Sequence, residues 1–190
     1  FSPVLEILFD EMQALGLPSP SQGLADTPAR FTTEYLQAIQ VLEEYLARDD
    51  CHPPLTRKEV EMMCRCTLSA PTLARAMELV IDFAAMIYPR AGQLALEQCN
   101  GGYRFVHNSL RGSQSLASSL SDITGIFAFK QLFQWLTGGK VVPKIVSIGH
   151  MKRNDILPFL HLFNIPVVAN GLVYYLEYSE GDVQQAVVVS

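Results

Sequence analysis

Residues 146–167, VSIGHMKRNDILPFLHLFNIPV, set two histidines, His150 and His161, and the basic pair Lys152-Arg153 into an apolar stretch. Imidazole is the usual general base near neutral pH and a common metal ligand. A zinc site needs at least a third nitrogen, sulfur or carboxylate ligand at close range, and Asp155 is the one carboxylate nearby in sequence. A general base needs an orienting acid and a pocket with polar groups. Nothing in the sequence completes either set, so both histidines are expected to be packed, hydrogen-bonded or lining a pocket.

The cysteines, at 51, 64, 66 and 99, give no stronger lead. Cys64-Arg65-Cys66 lies inside a helical pattern, where residues two apart point to different sides. No second Cys or His pair follows at zinc spacing. Reduced, buried thiols are expected, with no metal and no cofactor, in a cytoplasmic protein. Asn100-Gly101-Gly102 and Gly138-Gly139 lack the strand-to-helix setting of a phosphate loop and read as turns. There is no G-x-S-x-G elbow. In the serine-rich run 113–121 the early serines are expected to cap a long helix and the rest to lie on its outer face. The chain is therefore not read as an enzyme.

A better candidate for binding chemistry is the run Tyr103-Arg104-Phe105-Val106-His107. On a strand, Tyr103, Phe105 and His107 share one face, and Arg104, Val106 and Asn108 the other. If one face covers a cavity, it stacks on or hydrogen-bonds a small ligand. If both are ordinary, the aromatic face is core and Arg104 is solvated. Ligand pockets favour apolar hollows with a few polar groups. That logic places a ligand between sheet and long helix and nominates Tyr103, Phe105, His107, Phe127, Trp135 and His150 as its contacts.

The elements that position these residues follow from periodicity. PVLEILFDEMQALGL reads as a first helix ending at Gly16. Thr27 and Pro28 start a second, with Phe31, Tyr35, Ala38, Ile39, Leu42, Tyr45 and Leu46 on one face. Thr56-Arg57-Lys58-Glu59 is a capping box for a third, and Pro71 opens a fourth, whose stripe runs from Leu73 to Tyr88. After Pro89 the period falls to two, and two alternating runs flank Asn100-Gly101-Gly102, a β-hairpin. A long helix is expected over 114–137, ended by Gly138-Gly139, then a strand over Val142–Ile148. Asn154 is expected to cap a short helix ending near Phe163. Val167-Val168-Ala169, a turn at Asn170-Gly171 and Leu172–Tyr178 read as a second hairpin, and Gln185–Val189 as a last strand. The expected fold class is α+β. N-terminal helices (1–68) pack beside an antiparallel or mixed sheet in the order ββαβαββ (69–190), covered by the long helix, all in one domain.

Composition narrows the function classes. The 190 residues are 49% apolar and only 17% charged, with a formal net charge of −5. Disorder is excluded by that balance, and an apolar interior cavity or interface is favoured. A surface that grips DNA or an anionic membrane would be basic. No apolar run reaches the ~18 residues of a membrane span, and no signal peptide is evident. The chain starts at Phe1 and stops after Val-Val-Val-Ser, as a piece of something longer would.

Two segments carry likenesses. Residues 16–36, GLPSPSQGLADTPARFTTEYL, are similar to a helix start in GTP cyclohydrolase I. The zinc cysteine and His-His-rich stretch of that enzyme are absent, and a Thr-Pro cap accounts for the likeness. From residue 69 an ordered set of pieces stands out: SAPTLARAMELVIDF, LSDITGIFAFKQLFQWLTGGKVVPKIVSIGH, PFLHLFNIPVVANGLVYYLEYS and AVVVS. Together they resemble the N-terminal, arabinose-binding-type effector domain of AraC-family bacterial transcription regulators, in the branch that includes ornithine-utilisation regulators. Lys152-Arg153 stands where that family often has proline. The resemblance implies a module that senses a small-molecule effector and forms a homodimer. It also implies DNA binding only through a C-terminal pair of helix-turn-helix motifs, absent from this chain. Apolar composition suggests an apolar or amphipathic effector. The alternatives are a dimerisation module without ligand and an enzyme of unknown class.

Overall fold

The structure is a computed structural model describing residues 2–18, 27–50, 52–111, 114–149, 151–169, 171 and 173–189. Four helices come first: α1 (Ser2–Ala14), α2 (Pro28–Asp50), α3 (Arg57–Thr67) and α4 (Leu73–Met86). Their starts are set by side-chain caps. Thr27 Oγ1 accepts from the Arg30 amide at 3.2 Å, and Thr56 and Glu59 form the reciprocal capping box at the head of α3. The α4 cap is Thr72, one residue after Pro71. Glu59 has a second task. Arg90 binds its carboxylate and donates to the Pro53 and Pro54 carbonyls, tying the α2–α3 link to the start of the sheet.

The remainder is β1 (Gln93–Cys99), β2 (Gly102–Asn108), α5 (Leu116–Leu136), β3 (Ile145–Ser147), α6 (Arg153–Phe163), β4 (Val167–Val168), β5 (Tyr174–Ser179) and α7 (Glu180–Val183). The five strands form one mixed sheet in the order β1-β2-β5-β3-β4, so the fold is α+β as expected. Among the described strands only the β3–β4 pair is parallel, joined by a crossover through α6. The β1–β2 hairpin turns at Asn100–Gly101, where Gly101 takes a φ of +80° that a side chain would oppose.

Register decides which residues face α5. Phe105 lies opposite Leu176, Tyr103 opposite Tyr178, and His107 opposite Tyr174. On that face Phe105 meets Phe129 and Phe133 of α5 at ring separations of 5.0 and 4.9 Å, and Phe133 meets Tyr178 at 6.3 Å. These rings are the centre of the core, with Phe105, Phe133, Leu176 and Tyr178 fully buried. The opposite face of the same strands carries Arg104, whose Nε donates to Glu177 at 2.9 Å and whose guanidinium lies 4.4 Å from the Tyr175 ring. Helix α2 packs on α5 from the far side, and α1 on α2, α5 and α6.

Five expectations about elements are corrected. The second hairpin does not form, because both edges of β5 are taken, one by β2 and the other by β3. β4 is left to pair with β3 instead, and Asn170 and Leu172 of the expected turn lie outside the described residues. Residues 185–189 make a single bridge, Thr72 to Ala186, rather than a strand, and the short α7 precedes them. Helix α6 is entered from Lys152 without a side-chain cap, so Asn154 is its second residue and not its cap. Cys64, Cys66 and Cys99 are free but half-buried, not buried, and Cys51 lies outside the described residues. Lastly, Ser118, Ser119 and Ser121 are not on an outer face of α5: all three are buried. The first turns of α5 are enclosed between α2 and the sheet, so their serines have no solvent side.

Candidate functional site

Ser115 caps α5 in a reciprocal box with Ser118, which fixes the first turn of that helix against the end of β2. Between β2 and that cap, Arg111 lies back over α5. Arg111 Nη1 donates to Asp122 Oδ1 at 2.8 Å, and the Ser109 hydroxyl donates to Asp122 Oδ2 at 3.2 Å. Leu110 takes a left-handed φ of 62° in this loop, held by its amide donating to Asn108 Oδ1 at 2.9 Å. From the other side of the sheet order comes Tyr174, across from His107. Behind them a cavity of about 140 Å³ opens, walled by His107, Arg111, Ser119, Asp122, Tyr174 and the backbone of Gly149 and Gly171.

The glycines are there because nothing larger fits. A Cβ on Gly149 would stand 2.7 Å from the Tyr174 hydroxyl, and one on Gly171 would collide with Ser147 Oγ. Ser147 in turn donates to the Val173 carbonyl at 2.7 Å, holding the strand edge that carries Tyr174.

Burial dominates the electrostatics. His107 is held to a pKa of about 4, first by burial and then by the Arg111 charge, so it is neutral at physiological pH. Its Nδ1 is buried and has no hydrogen-bond partner among the described residues. The Asp122 carboxyl is pushed upward by burial, against the pull of Arg111 and the Ser109 hydrogen bond. Tyr174 is raised to about 12, again by burial. The polar layer continues outward to α2. Ser121 donates to Glu43 Oε1 at 3.1 Å, and the Tyr35 and Thr124 hydroxyls are 2.6 Å apart. Burial pushes Glu43 upward too, opposed by Ser121 and by Arg111, which thus acts on carboxylates of both α5 and α2.

Of the five described residues among the six expected to touch a ligand, His107 alone lines this cavity. Phe105 is in the core against Phe129 and Phe133. Tyr103 is half-buried at the far end of β2, and Phe127 packs on Phe163 of α6 at 5.6 Å. Trp135 is 54% exposed at the end of α5. His150 lies outside the described residues, although its neighbour Gly149 is in the cavity wall. His161 is exposed and borders a separate groove between α1 and α6, of about 340 Å³, with Pro3, Val4, Pro158 and Leu162. The residues the sequence reading missed are Arg111, Ser119, Asp122 and Tyr174. For Ser119 and Asp122 the signal was the polar run Ser118-Ser119-Leu120-Ser121-Asp122 at the start of α5; Arg111 in the preceding loop and Tyr174 on β5 carried none.

Among the described residues no three His, Cys, Asp or Glu side chains are grouped to hold a metal ion. No described helix is long and apolar enough to cross a membrane. No family model matches the chain, and no curated protein matches it in sequence. In fold it is similar to the transcriptional regulator CdpR from Pseudomonas aeruginosa, with a TM-score of 0.57 over 99% of this chain at 12% identity. The chain spans 58% of the length of that regulator.

Proposed function

We infer that this chain is the effector-sensing domain of an AraC-type transcription regulator, and that its effector occupies the cavity at the N-terminal end of α5. The observation that carries this reading is the convergence of Arg111, Ser119, Asp122 and Tyr174, with His107 in the wall, on one small hollow inside an otherwise aromatic core. Buried polar groups are costly unless satisfied, and a ligand that satisfies them is bound in proportion. The fold shared with a transcriptional regulator and the ordered motifs from residue 69 support the same assignment.

The cavity is also placed to transmit a signal. Arg111 bears on Asp122 of α5 and Glu43 of α2 at once. A ligand that contacts Arg111 changes the field at the α2–α5 seam. For that to switch a domain it must bind one arrangement of the seam better than the other, and a 5- to 150-fold preference corresponds to about 1–3 kcal/mol. The test is a thermal-shift screen of the chain against a broad metabolite library, repeated on Ser119→Leu, which fills the cavity. Saturable stabilisation of the native chain that Ser119→Leu abolishes is expected. No stabilisation by any member of the library contradicts sensing.

A homodimer is part of this reading. Trp135, Val142 and Val188 are exposed around the end of α5, an apolar group remote from the cavity that suits association of two copies. A dimerisation module without ligand rests on the same group. Light scattering of the chain and of Trp135→Ser measures it, and a strict monomer at high concentration contradicts it.

A further inference from the structure

We propose that the cavity selects a small carboxylate, an acid of about three to five carbons bearing a further hydroxyl or oxo group, bound through the guanidinium of Arg111. The proposal rests on the sensing reading above and names the ligand class of that same site.

Size comes first. The cavity measures about 140 Å³. An engineered protein cavity of ~150 Å³ takes benzene, so roughly six to eight heavy atoms fit here. An effector with a long apolar tail does not.

Donor geometry comes second. Arg111 spends Nη1 on Asp122, while Nε and Nη2 have no partner among the described residues. Those two N–H groups form one edge of a planar fork, the shape that binds a carboxylate through two parallel hydrogen bonds. The pair with Asp122 fixes the plane of the fork before any ligand arrives. Such preorganisation lowers the ordering cost of binding. The first turn of α5 lines the same wall and contributes the positive end of a 21-residue helix.

The remaining groups define the other end of the ligand. Ser119, Tyr174 and the neutral His107 can each donate or accept, which suits a hydroxyl or oxo group next to the carboxylate. Asp122 already balances Arg111, so the incoming acid adds one negative charge to the cavity. Asp122 and Glu43 are the carboxyls positioned to take up a proton in response.

The experiment is calorimetric titration of the 190-residue chain at fixed ionic strength. The probes are propionate, lactate, pyruvate, 2-hydroxybutyrate and 2-oxovalerate, with lactamide and 2-hydroxybutyramide as uncharged isosteres. Saturable binding of the hydroxy or oxo acids is expected, with the amides weaker by about tenfold or more, as for loss of a charge-assisted hydrogen-bond pair. Arg111→Gln is expected to lose the acids by a similar factor, and Arg111→Lys by less. Circular dichroism and melting of each variant report whether the fold survives. Should Arg111→Gln unfold, the acid-to-amide ratio on the native chain still decides the matter.

Amides binding as tightly as acids overturns the proposal. So does binding of acids unchanged in a folded Arg111→Gln. A library hit that Ser119→Leu abolishes but that carries no carboxylate overturns the ligand class while sparing the sensing reading. No hit of any kind removes both.

Discussion

The C-terminal half of α5 packs Phe129 and Phe133 onto Phe105 and Tyr178, whereas its N-terminal half sets Ser118, Ser119 and Asp122 near His107 and Tyr174. One helix and two adjacent strands thus make both a dry aromatic interior and a polar hollow, which meet where His107 lies edge-on to Phe129 at 6.0 Å. Aromatic rings at the first end fill space and satisfy one another through edge contacts. At the second end, small serines and two wall glycines leave room, and the charged pair Arg111–Asp122 replaces ring packing. The contrast separates what holds the domain together from what it can recognise.

The most severe way to probe that contrast is Phe133→Ala. Phe133 is fully buried and touches three rings, so its loss is expected to cost about 3–5 kcal/mol, read as a shift in the urea midpoint. A loss of under about 1 kcal/mol would mean that the aromatic end is not the core.

Next is the response to acid. His107 titrates near 4 when folded and near 6.5 when free, so the unfolded chain takes up the proton first as pH falls. The stability due to keeping this ring neutral is present above about 6.5 and is lost between there and about 4, on the order of 3 kcal/mol in all. Asp122 and Glu43 act with the opposite sign. Their raised folded values favour the protonated form, so each adds stability as pH falls toward the normal carboxyl range. Because both are present in His107→Gln, the difference between the native chain and that variant isolates the imidazole. Equal pH slopes for the two would contradict the burial of His107.

A smaller effect separates two tyrosines on one strand face. The Tyr178 hydroxyl is buried without a partner among the described residues, so Tyr178→Phe is expected to stabilise the domain by about 1 kcal/mol and leave ligand binding alone. Tyr174 stands at the cavity with its hydroxyl bonded to Ser119 and the Gly149 backbone, so Tyr174→Phe is expected to destabilise the domain by about 1 kcal/mol and weaken the ligand severalfold. Reversal of the pair would dissolve the distinction between the two ends. The smallest change belongs to Trp135→Ser measured on the monomer, expected within about 0.5 kcal/mol because the side chain is 54% exposed in the single chain.

Much of the scaffold was legible in the residues themselves. Thr27-Pro28, the Thr56–Glu59 box and Gly138-Gly139 mark helix ends by local hydrogen bonding, and local chemistry is what a sequence displays directly. The Tyr103–His107 alternation likewise put Phe105 on the inner face. Strand pairing was less visible. Val167–Val168 and Tyr174–Ser179 look like a hairpin until β3, far earlier in the chain, occupies the edge between them. The site was harder still. Arg111 reaches Asp122 across a loop whose left-handed Leu110 gives no signal in its own side chain. Aromatic residues drew attention because pockets are often apolar, yet Trp135 points outward and Phe127 packs on α6.

Trp135 is the single tryptophan of the chain and lies at the C-terminal end of α5, whereas His107 packs on Phe129 and borders the hollow. The two side chains therefore report separately on the hollow and on the exposed end of the helix. The most direct test follows the His107 ring nitrogens and the Trp135 indole by nuclear magnetic resonance while a ligand that stabilises the chain is added. A saturable shift of the His107 ring with the Trp135 indole unmoved is the predicted result. Movement of Trp135 with His107 unchanged would place the effector elsewhere and contradict the assignment of the polar hollow as the sensing site.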